Sequence, residues 1–514
     1  MKTVIQNLIV AALLALQLGC ATVDFDHPKP ESSALADTGS TLLGKQFANA
    51  SDGYPDGYSG FLPLGDGIDA LSIRLLLAER AEKSIDAQYY LLKSGIVGSA
   101  FVGSLLRAAD RGVRVRLLLD DMFTGGYDAG MAGLDSHPNI EIRIFNPFAS
   151  RSARFLDAIT SFSRINRRMH NKSFTVDNEI TLIGGRNIAD EYFGAREDAK
   201  FADLDVLGVG PVVQDVSDMF DSYWNHERSA PVAAFASMPD DPSEELERQR
   251  IELEQARQAI TASKYAAAVE GSYLEFVGSD TSIFTWAPYS LTVDSPDKGI
   301  KSKAAGADSI VTPLLESLLS AKKEVMIVSP YFVPQKSGVE ALLALQERGV
   351  DVTVITNTLA ANNQAMVHGG YAPSRKPLLK GGVRILEVRA DANVAGSQIV
   401  AADSAKTTLH TKAFVVDRQE VFIGSFNFDP RSANINTELG VIIRSPQIAA
   451  EVADMFEMNA DVEAFEVFLD KNGKIRWRGT QNGEEIILDK EPQTKWGQRF
   501  MAGFYRILPI SGQL

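Results

Sequence analysis

The sequence carries one set of chemically capable side chains twice. Each set begins at a histidine and continues with lysine two residues on, aspartate seven on, glycine fourteen on and asparagine seventeen on. The second set follows the first at a constant offset of 240 residues, in a chain that contains only six histidines. Two matches at one offset do not arise readily by chance. The sets are His170, Lys172, Asp177, Gly184 and Asn187, and His410, Lys412, Asp417, Gly424 and Asn427.

These residue types suit chemistry on a phosphate ester. Lysine ammonium and asparagine amide groups donate hydrogen bonds to phosphate oxygens and need no metal ion. One imidazole can attack phosphorus while the other protonates the departing oxygen, and the second then takes a proton from the incoming hydroxyl. The sequence therefore predicts phosphoryl transfer through a covalent histidine intermediate, with no metal and no cofactor.

Each histidine also needs a carboxylate on its other ring nitrogen, to fix the tautomer and stabilise the charged form. Asp203 and Glu438 follow the two sets at matching places, and Asp205 is an alternative to Asp203 because the alignment contains a short gap. Asp177 and Asp417 lie at the far end of the strand from their histidines. For these two aspartates we expect a structural role in fixing a turn.

Strands must position both sets. A histidine and a lysine separated by one residue point to the same face of a strand, and apolar residues 174–176 and 414–416 continue each strand into the interior. The stretches TLIGG and VFIGS then predict a second strand, which ends in a glycine-rich turn and brings the asparagine beside the histidine. Where the second copy has Ser425, the first has Gly185, which lacks the hydroxyl.

A further internal repeat precedes each set. Residues 84–121 and 324–357 both read as an apolar strand, an amphipathic helix, an Arg-Gly-Val turn and a second apolar strand. Such units predict a mixed or parallel sheet covered by helices. We therefore predict an α/β fold built from two duplicated domains that face each other.

Together these motifs resemble the phospholipase D superfamily, whose signature HxKxxxxD is followed by a glycine-rich turn with an asparagine. The resemblance covers about residues 60–460. It implies pseudo-twofold symmetry, one active site shared at the seam between two mixed sheets, and a covalent phosphohistidine without a metal. It also implies that His170 is the nucleophile and His410 the general acid and base, although the sequence alone does not decide between the two.

Further segments resemble the C-type branch of the bacterial cardiolipin synthases. They are FNPF at 145–148, SFSRINRRMHNKSFTVD at 161–177, SPYFVP at 329–334, and the stretches 355–372 and 424–440. This resemblance implies transfer of a phosphatidyl group from one phospholipid onto the headgroup hydroxyl of phosphatidylglycerol. The alternatives are a phospholipase D that uses water, a phosphodiesterase nuclease, and an inactive envelope scaffold.

The amino-acid composition limits the classes of molecule that this protein is expected to bind. The 514 residues are 45% hydrophobic and 23% charged, with a net charge of −15, which is typical of a soluble globular protein. Because an acidic chain lacks the basic face of general nucleic-acid binders, we expect no nucleic acid. The cardiolipin synthase resemblance implies phospholipid substrates and a membrane surface. Five arginines before His170 either engage anionic headgroups or form structural salt bridges. They are Arg151, Arg154, Arg164, Arg167 and Arg168.

The N-terminus reads as a secretory signal. Lys2 is followed by an apolar run over residues 8–16 and then by Cys20, the only cysteine in the chain. A cysteine at this place resembles the lipobox of bacterial lipoproteins, from which Gln17 departs. The resemblance implies that Cys20 is lipidated and begins the mature chain, anchored in the bacterial cell envelope and facing the periplasm. The alternative is a stray cysteine behind an uncleaved anchor.

Near the C-terminus, aromatic residues recur every four positions with basic residues around them. The pattern predicts either a helix that lies in a membrane interface or a helix that docks on the protein's own core. The residues are Trp496, Phe500 and Phe504, with Lys495, Arg499 and Arg506.

These features together predict the domain organisation. The predicted segments are 1–20 as signal peptide, 21–60 as linker, 61–235 as first domain, 236–300 as connector, 301–460 as second domain, and 461–514 as a hairpin with the final helix.

Two aromatic pairs and one histidine complete the candidates. Tyr89 with Tyr90, and Tyr331 with Phe332, end corresponding strands of the two halves. They either line a lipid groove or pack in the core. His368, between a valine and two glycines, either lies at the pocket mouth or belongs to a turn.

Overall fold

The computed structural model describes most of the chain, and residues 1–20 with Cys20 lie outside the described part. Within it, helices flank a large mixed sheet, so the predicted α/β fold is confirmed. No helix of the described residues combines the length and the apolar character that crossing a bilayer requires. The described residues are 23–151, 153–155, 157, 161–236, 238–261, 263–278, 281–299, 309–392, 405–457, 460–481, 483–508 and 511–513.

The strands fall into two series that follow each other along the chain. The first series is β1 (Tyr58–Leu64), β2 (Ser84–Tyr89), β3 (Arg114–Asp120), β4 (Ile140–Phe145), β5 (Ser173–Val176), β6 (Ile180–Gly184), β7 (Ala199–Ala202), β8 (Asp205–Val209) and β9 (Ser229–Pro231). The second series is β10 (Thr285–Val293), β11 (Glu324–Val328), β12 (Asp351–Asn357), β13 (Arg384–Val388), β14 (Lys406–Leu409), β15 (Ala413–Val416), β16 (Glu420–Gly424), β17 (Leu439–Ile443), β18 (Ala464–Leu469), β19 (Ile475–Gln481) and β20 (Glu484–Leu488).

The helices of the described residues are numbered in the same way. Those up to the second series of strands are α1 (Leu42–Phe47), α2 (Gly67–Arg80), α3 (Ile96–Asp110), α4 (Asp128–Asp135), α5 (Phe162–Ile165), α6 (Pro211–Trp224), α7 (Pro242–Thr261) and α8 (Lys264–Gly278). The later ones are α9 (Val311–Leu319), α10 (Gln335–Glu347), α11 (Ala365–Lys380), α12 (Pro430–Asn434), α13 (Pro446–Glu457), α14 (Ala460–Glu463) and α15 (Trp496–Ile507).

The two halves repeat one order of strands across their sheets. The first half runs β9-β4-β3-β2-β5-β6-β8-β1. The second runs β20-β19-β18-β13-β12-β11-β15-β16-β17-β10. Strand β10 pairs first with β1 and then with β17, so it joins the two sheets edge to edge.

The predicted strand–helix–strand unit is present in both halves, as β2-α3-β3 and as β11-α10-β12, and each pair of strands is parallel. Parallel strands need such a crossover, and its helix covers one face of the sheet. In the Arg-Gly-Val turns, Gly112 has φ +95° and Gly349 has φ +81°. This left-handed conformation favours glycine and ends each helix.

A second, two-stranded sheet connects the halves. Strand β7 of the first half lies parallel to β14 of the second, and an isolated parallel bridge joins Met169 to Thr437. Strand β14 ends one residue before His410, and Met169 is one residue before His170. The halves therefore contact each other at the two predicted histidines.

The C-terminal segment adds an antiparallel hairpin and a helix. Strands β18 and β19 are joined by a tight turn at residues 470–473, in which Gly473 has φ +68°, and β18 extends the sheet beside β13. Helix α15 packs closely on α11, since a Cβ placed on Gly369 would lie 3.0 Å from the Ala502 carbonyl oxygen. The end of the chain is thus docked on the second half.

Asp177 and Asp417 close the turns after β5 and β15. Both adopt positive φ, +50° and +52°. Their carboxylates accept hydrogen bonds from the backbone N–H groups of residues 82–84 and 322–324, at 2.7–3.2 Å. Each aspartate thereby ties the strand that follows a candidate histidine to the start of the neighbouring strand.

We expect Asp417→Ala to lower the free energy of unfolding by about 1–3 kcal/mol, because three backbone donors lose a charged acceptor. Burial raises the pKa of Asp417, but the backbone donors outweigh it and lower that pKa overall. Since the folded-state pKa is lowered, the stabilisation is present above the unfolded pKa and is lost as pH falls through the folded one.

Urea denaturation at several pH values measures this effect, with Asp52→Ala in an exposed turn as the control. The difference between wild type and Asp417→Ala should shrink on the acid side. A difference independent of pH, or an equal loss in the control, would contradict the assignment.

Candidate active site

The two histidines meet across the seam between the halves. The backbone N–H of His170 donates to the Thr437 carbonyl oxygen at 2.9 Å, and the N–H of His410 donates to that of Ala202 at 2.7 Å. Each histidine is therefore held by the backbone of the other half. His170 therefore lies next to residue 438, and His410 lies next to residue 203.

This neighbouring residue is a carboxylate in both cases. His170 Nδ1 is 2.8 Å from Glu438 Oε2, and His410 Nδ1 is 2.5 Å from Asp203 Oδ2. Both carboxylates are buried. Because a carboxylate accepts, Nδ1 carries the proton and Nε2 keeps the lone pair that can react. Neither half alone contains a complete histidine–carboxylate pair.

Asp205, the alternative to Asp203, lies in the interior of the first half. Its carboxylate is 2.8 Å from Arg74 Nη2 and 3.3 Å from Arg186 Nη1. These buried ion pairs satisfy it within the core. Of the two aspartates, Asp203 is the one in contact with a candidate histidine.

Both histidines and both asparagines open on one cavity of about 440 Å³. Asn187 is fixed there, since its Oδ1 accepts from the Leu91 N–H at 3.2 Å and its Nδ2 donates to Tyr192 OH at 3.0 Å. Asn427 Oδ1 is buried and has no hydrogen-bond partner within the described ranges. The asparagine predicted beside each histidine is thus found there, and one of them has a free acceptor for a ligand.

Lys172 and Lys412 lie behind the histidines. Each is 1% exposed, and its Nζ donates to the backbone carbonyl of its own histidine. Neither lysine is part of the cavity wall. Lys412 Nζ also lies 2.7 Å from His410 Nδ1 and 3.3 Å from His410 Nε2, so this lysine contacts the imidazole directly. Lys172 influences the site through its charge.

Burial and these charges set the protonation states. Burial and the ammonium groups of Lys172 and Lys412 hold the pKa of His170 well below its usual range, and burial with Lys412 lowers the pKa of His410 to about 4. Burial also lowers the pKa of Lys172 to about 7 and that of Lys412 to about 8. Both imidazoles are therefore neutral near pH 7, as a nucleophile and a general base require.

The partners of the two carboxylates differ. Ser425 and Ser432 both donate to Glu438, the latter at 2.7 Å. In the first copy Gly185 replaces Ser425, and a Cβ there would lie 2.1 Å from Asp203 Oδ1. Because aspartate is one methylene shorter than glutamate, its carboxylate lies nearer the turn and occupies the space of a side chain. The first copy therefore has glycine instead of serine at position 185 because Asp203 leaves no room for a side chain there.

The glycines that end β6 and β16 are constrained in the same way. A Cβ on Gly184 would lie 2.1 Å from Asp205 Oδ1, and one on Gly424 would lie 2.5 Å from the Leu439 carbonyl oxygen. Only glycine allows these strands to approach so closely.

Aromatic side chains that the sequence reasoning missed surround His410. Tyr192 and Phe201 lie against its ring, with centroid distances of 5.0 and 5.4 Å, and Tyr192 OH is 3.5 Å from Nε2. The sequence did contain one indication that Tyr192 lies near the site. The constant offset between the copies continues beyond the asparagines and places Tyr192 opposite Ser432, in a stretch that faces the site in both halves.

Each predicted aromatic pair divides between the site and the core. Tyr90 and Tyr331 line the cavity, with ring centroids 4.9 and 6.3 Å from those of the nearer candidate histidine. Tyr89 and Phe332 are 1% exposed and pack in the core. Neighbouring side chains of an extended segment point to opposite sides, so one member of each pair faces the cavity and the other packs in the core.

His368 lies outside the cavity wall. It is buried within α11, with Nε2 3.4 Å from Glu491, so both interpretations of it, pocket mouth and turn, are wrong. Among the described residues, no group of three or more His, Cys, Asp or Glu side chains could hold a metal ion.

The arginines that precede His170 mostly form ion pairs. Arg168 lies 3.3 Å from Asp120, and Arg151 and Arg154 share Asp121. Arg164 lies 3.9 Å from Asp157, while Arg167 donates to the Lys298 carbonyl oxygen at 2.9 Å. These contacts support structural salt bridges, rather than binding of lipid headgroups, as the role of the five arginines.

A family model described as "Cardiolipin synthase, PLD-like domain" matches residues 76–224 and again residues 314–459. The chain belongs to this cardiolipin synthase family of phospholipase D-like proteins. It is 42% identical over 458 residues to cardiolipin synthase C of Escherichia coli (strain K12), covering 88% of this chain and 96% of that protein. The predicted family, with its two phospholipase D-like domains, is confirmed.

Two further proteins extend the comparison of this cardiolipin synthase family member. An uncharacterized protein of Helicobacter pylori (strain J99 / ATCC 700824) is 31% identical over 496 residues, covering 96% of each chain. The crystal structure of phosphatidylserine synthase from Haemophilus influenzae Rd KW20 has a TM-score of 0.57 at 13% identity. It covers 92% of this chain and 100% of that one, which shows a shared fold.

We expect Gly185→Ser, which makes the first copy match the second, to lower turnover by about 10²-fold, since a displaced Asp203 no longer orients His410. Activity assays on phospholipid vesicles measure this, with Gly271→Ala as the control because a Cβ there meets nothing within 4 Å. Wild-type activity in Gly185→Ser would show that Asp203 does not position His410.

Proposed function

We propose that this protein transfers a phosphatidyl group from one phospholipid to the headgroup hydroxyl of phosphatidylglycerol, and so makes cardiolipin. The observation that carries this proposal is the pair of histidines, each bonded to a carboxylate of the other half and both facing one cavity. The high identity to cardiolipin synthase C over nearly its whole length supports the choice of reaction.

The proposed reaction has two displacements. With the anionic phosphate bound, His410 takes up a proton on Nε2 from solvent. His170 Nε2 attacks phosphorus, and the imidazolium of His410 gives that proton to the oxygen of the leaving headgroup alcohol as the P–O bond breaks. The acceptor hydroxyl then loses its proton to His410 while its oxygen attacks phosphorus and the P–N bond to His170 breaks. Glu438 and Asp203 stabilise the positive charge that each imidazole gains during these steps.

The cavity encloses the two histidines closely. His170 is 7% exposed and His410 is 5% exposed, and Tyr90, Tyr192 and Tyr331 line the wall around them. Restricting bulk water lowers the rate of hydrolysis of a covalent intermediate. A phospholipase D that releases phosphatidic acid is the second candidate, because it would use the same residues. The net charge of −15 disfavours a nuclease.

Product analysis tests the reaction. Vesicles of phosphatidylglycerol, with and without phosphatidylethanolamine, should yield cardiolipin, detected by mass spectrometry. We expect His170→Ala and His410→Ala each to lower turnover by more than about 10³-fold. Phosphatidic acid as the main product would instead support the hydrolase, and near-normal activity in either variant would contradict the two-histidine mechanism.

A trapping experiment assigns the roles of the histidines. His410→Asn lacks both the general acid and the general base, so the substrate is phosphatidyl-p-nitrophenol, whose leaving group departs without a proton. We then expect a phosphatidyl group to accumulate on the peptide that contains His170. Mass spectrometry of the digested protein locates the modification. A modified peptide from His170→Asn that carries His410 would reverse the assignment.

We also propose that α15 docks on the membrane beside the cavity. Its Ala502 side faces α11, whose first turn lines the cavity, while its outer side exposes Trp496 (72%), Phe500 (57%) and Phe504 (44%). A helix with exposed aromatic residues and basic neighbours suits the headgroup region of a bilayer. Both predicted alternatives for this helix are thereby combined, with one side on the protein and the other available to lipid.

Vesicle sedimentation tests this surface in a Cys20→Ser background, which removes any lipid anchor. Replacing Trp496, Phe500 and Phe504 by serine should weaken binding to anionic vesicles by at least about 10-fold, since three apolar side chains lose their burial in lipid. Ile251→Ser, a 52% exposed position on α7, is the control. Equal binding of the triple variant and wild type would contradict the proposal.

Lipidation of Cys20 and a periplasm-facing location in the cell envelope complete the proposed function. The signal-like residues 1–20 support it. Mass spectrometry of the mature N-terminus provides the test, and an unmodified mature terminus at another residue would contradict the lipid anchor.

A further inference from the structure

The two walls of the cavity correspond to each other residue by residue, but they differ in charge. Glu191 of the first half and Arg431 of the second are 240 residues apart, the same offset as the two histidines. Phe201 and Asn436 are 235 residues apart, the same offset as Asp203 and Glu438. All four side chains line the cavity. The same positions therefore carry an acid and an aromatic ring on one wall, and a base and an amide on the other.

The first wall has no free charge to offer a ligand. Glu191 Oε1 lies 2.7 Å from Lys93 Nζ, so the carboxylate is neutralised within its own wall. Phe201 stacks on His410, with an angle of 15° between the ring planes. A headgroup on this side meets an ion pair and an aromatic face.

The second wall carries a cation held only by neutral groups. The Arg431 guanidinium donates to Asn166 Oδ1 at 2.9 Å and to the Asn166 carbonyl oxygen at 2.5 Å. Within the described ranges, no carboxylate lies within 4.0 Å of it. By contrast, the buried Arg168 and Arg186 each have an aspartate partner. Arg431 is thus positioned by its neighbours without being neutralised by them.

A buried amide stands beside this cation. Asn436 is 7% exposed, and its backbone N–H donates to the Arg431 carbonyl oxygen at 2.9 Å. Its Oδ1 has no hydrogen-bond partner within the described residues. A buried, unpaired amide oxygen that faces a cavity is suited to accept a hydrogen bond from a ligand hydroxyl.

Among the described charged groups that line the cavity, the positive charge of Arg431 is the one that no carboxylate balances by an ion pair. The carboxylates of Asp203 and Glu438 face the ammonium groups of Lys412 and Lys172. Burial raises the pKa of Asp429, the remaining acid on the wall, to about 7 against the opposing effect of the Arg431 charge. Asp429 is also occupied, since it accepts from the Ser432 N–H at 2.7 Å at the start of α12. A ligand that brings a second negative charge, in addition to the reacting phosphate, would balance this wall.

We propose that Arg431 and Asn436 form a second anion subsite, which holds the phosphate diester and a glycerol hydroxyl of the acceptor phospholipid. This subsite rests on the proposed transfer to phosphatidylglycerol and explains how an anionic acceptor is selected over a neutral alcohol. The reacting phosphorus lies between the histidines, and the acceptor's own phosphate lies at Arg431. Arg431 is a specificity residue in this proposal and takes no part in proton transfer.

The test is a competition between two acceptors in one reaction. Phosphatidylglycerol vesicles with added ethanol yield cardiolipin from the anionic acceptor and phosphatidylethanol from the neutral one. Arg431→Gln should lower the ratio of cardiolipin to phosphatidylethanol by about 10- to 100-fold, the effect of one charge-assisted hydrogen bond. Arg431→Lys should retain part of the ratio, because it keeps the charge.

Two further variants sharpen the result. Asn436→Asp keeps the shape of the side chain but places a negative charge beside Arg431, so it should also lower the ratio. Arg167→Gln is the matched control, because Arg167 too is bonded to a backbone carbonyl, and it lies outside the cavity wall. The ratio of cardiolipin to phosphatidylethanol made by Arg167→Gln should equal that of wild type.

The ratio separates the subsite from a structural role. An Arg431→Gln protein that loses both products in equal proportion, or that keeps the wild-type ratio, overturns the subsite while wild-type cardiolipin synthesis stands. A wild-type protein that makes phosphatidylethanol and no cardiolipin overturns the proposed function itself, and the subsite with it.

Discussion

The hydrogen bond between each histidine Nδ1 and a carboxylate from the other half is the interaction on which the site depends. It requires β7 to lie beside β14 and residue 169 to lie beside residue 437, because these backbone pairings set the carboxylates next to the rings. The sheets behind them are joined through β10, which pairs with both. A shift of one half relative to the other would break both histidine pairs together.

Burying so many charges is costly unless they compensate one another. Asp203 lies within 3.8 Å of Lys412 Nζ, and the pKa values of Lys412 and Lys172 are lowered by burial. The site therefore holds its positive charge at an energetic cost when no phosphate is present. A phosphate diester between the histidines would relieve that cost, which links binding of the substrate to the same charges that organise the site.

The duplicated halves have kept their backbone and changed their side chains. In the second half, Glu438 accepts a hydrogen bond from Ser425. In the first half, the shorter Asp203 occupies the space that a side chain at position 185 would need, and that position is glycine. The same divergence gives one wall of the cavity an ion pair and aromatic rings and the other an arginine. Backbone symmetry thus creates one shared centre, while the side chains make its two sides chemically different.

Much of this protein is determined by local sequence. The repeated spacing selected His170 and His410, and the strands β5 and β15 and the glycine turns follow from short-range patterns. The sequence could not decide between Asp203 and Asp205, or show that each acid serves the histidine of the other half. These facts depend on contacts between residues more than 200 positions apart. Only the tertiary structure brings such residues within hydrogen-bond distance, and only it shows which arginines are neutralised.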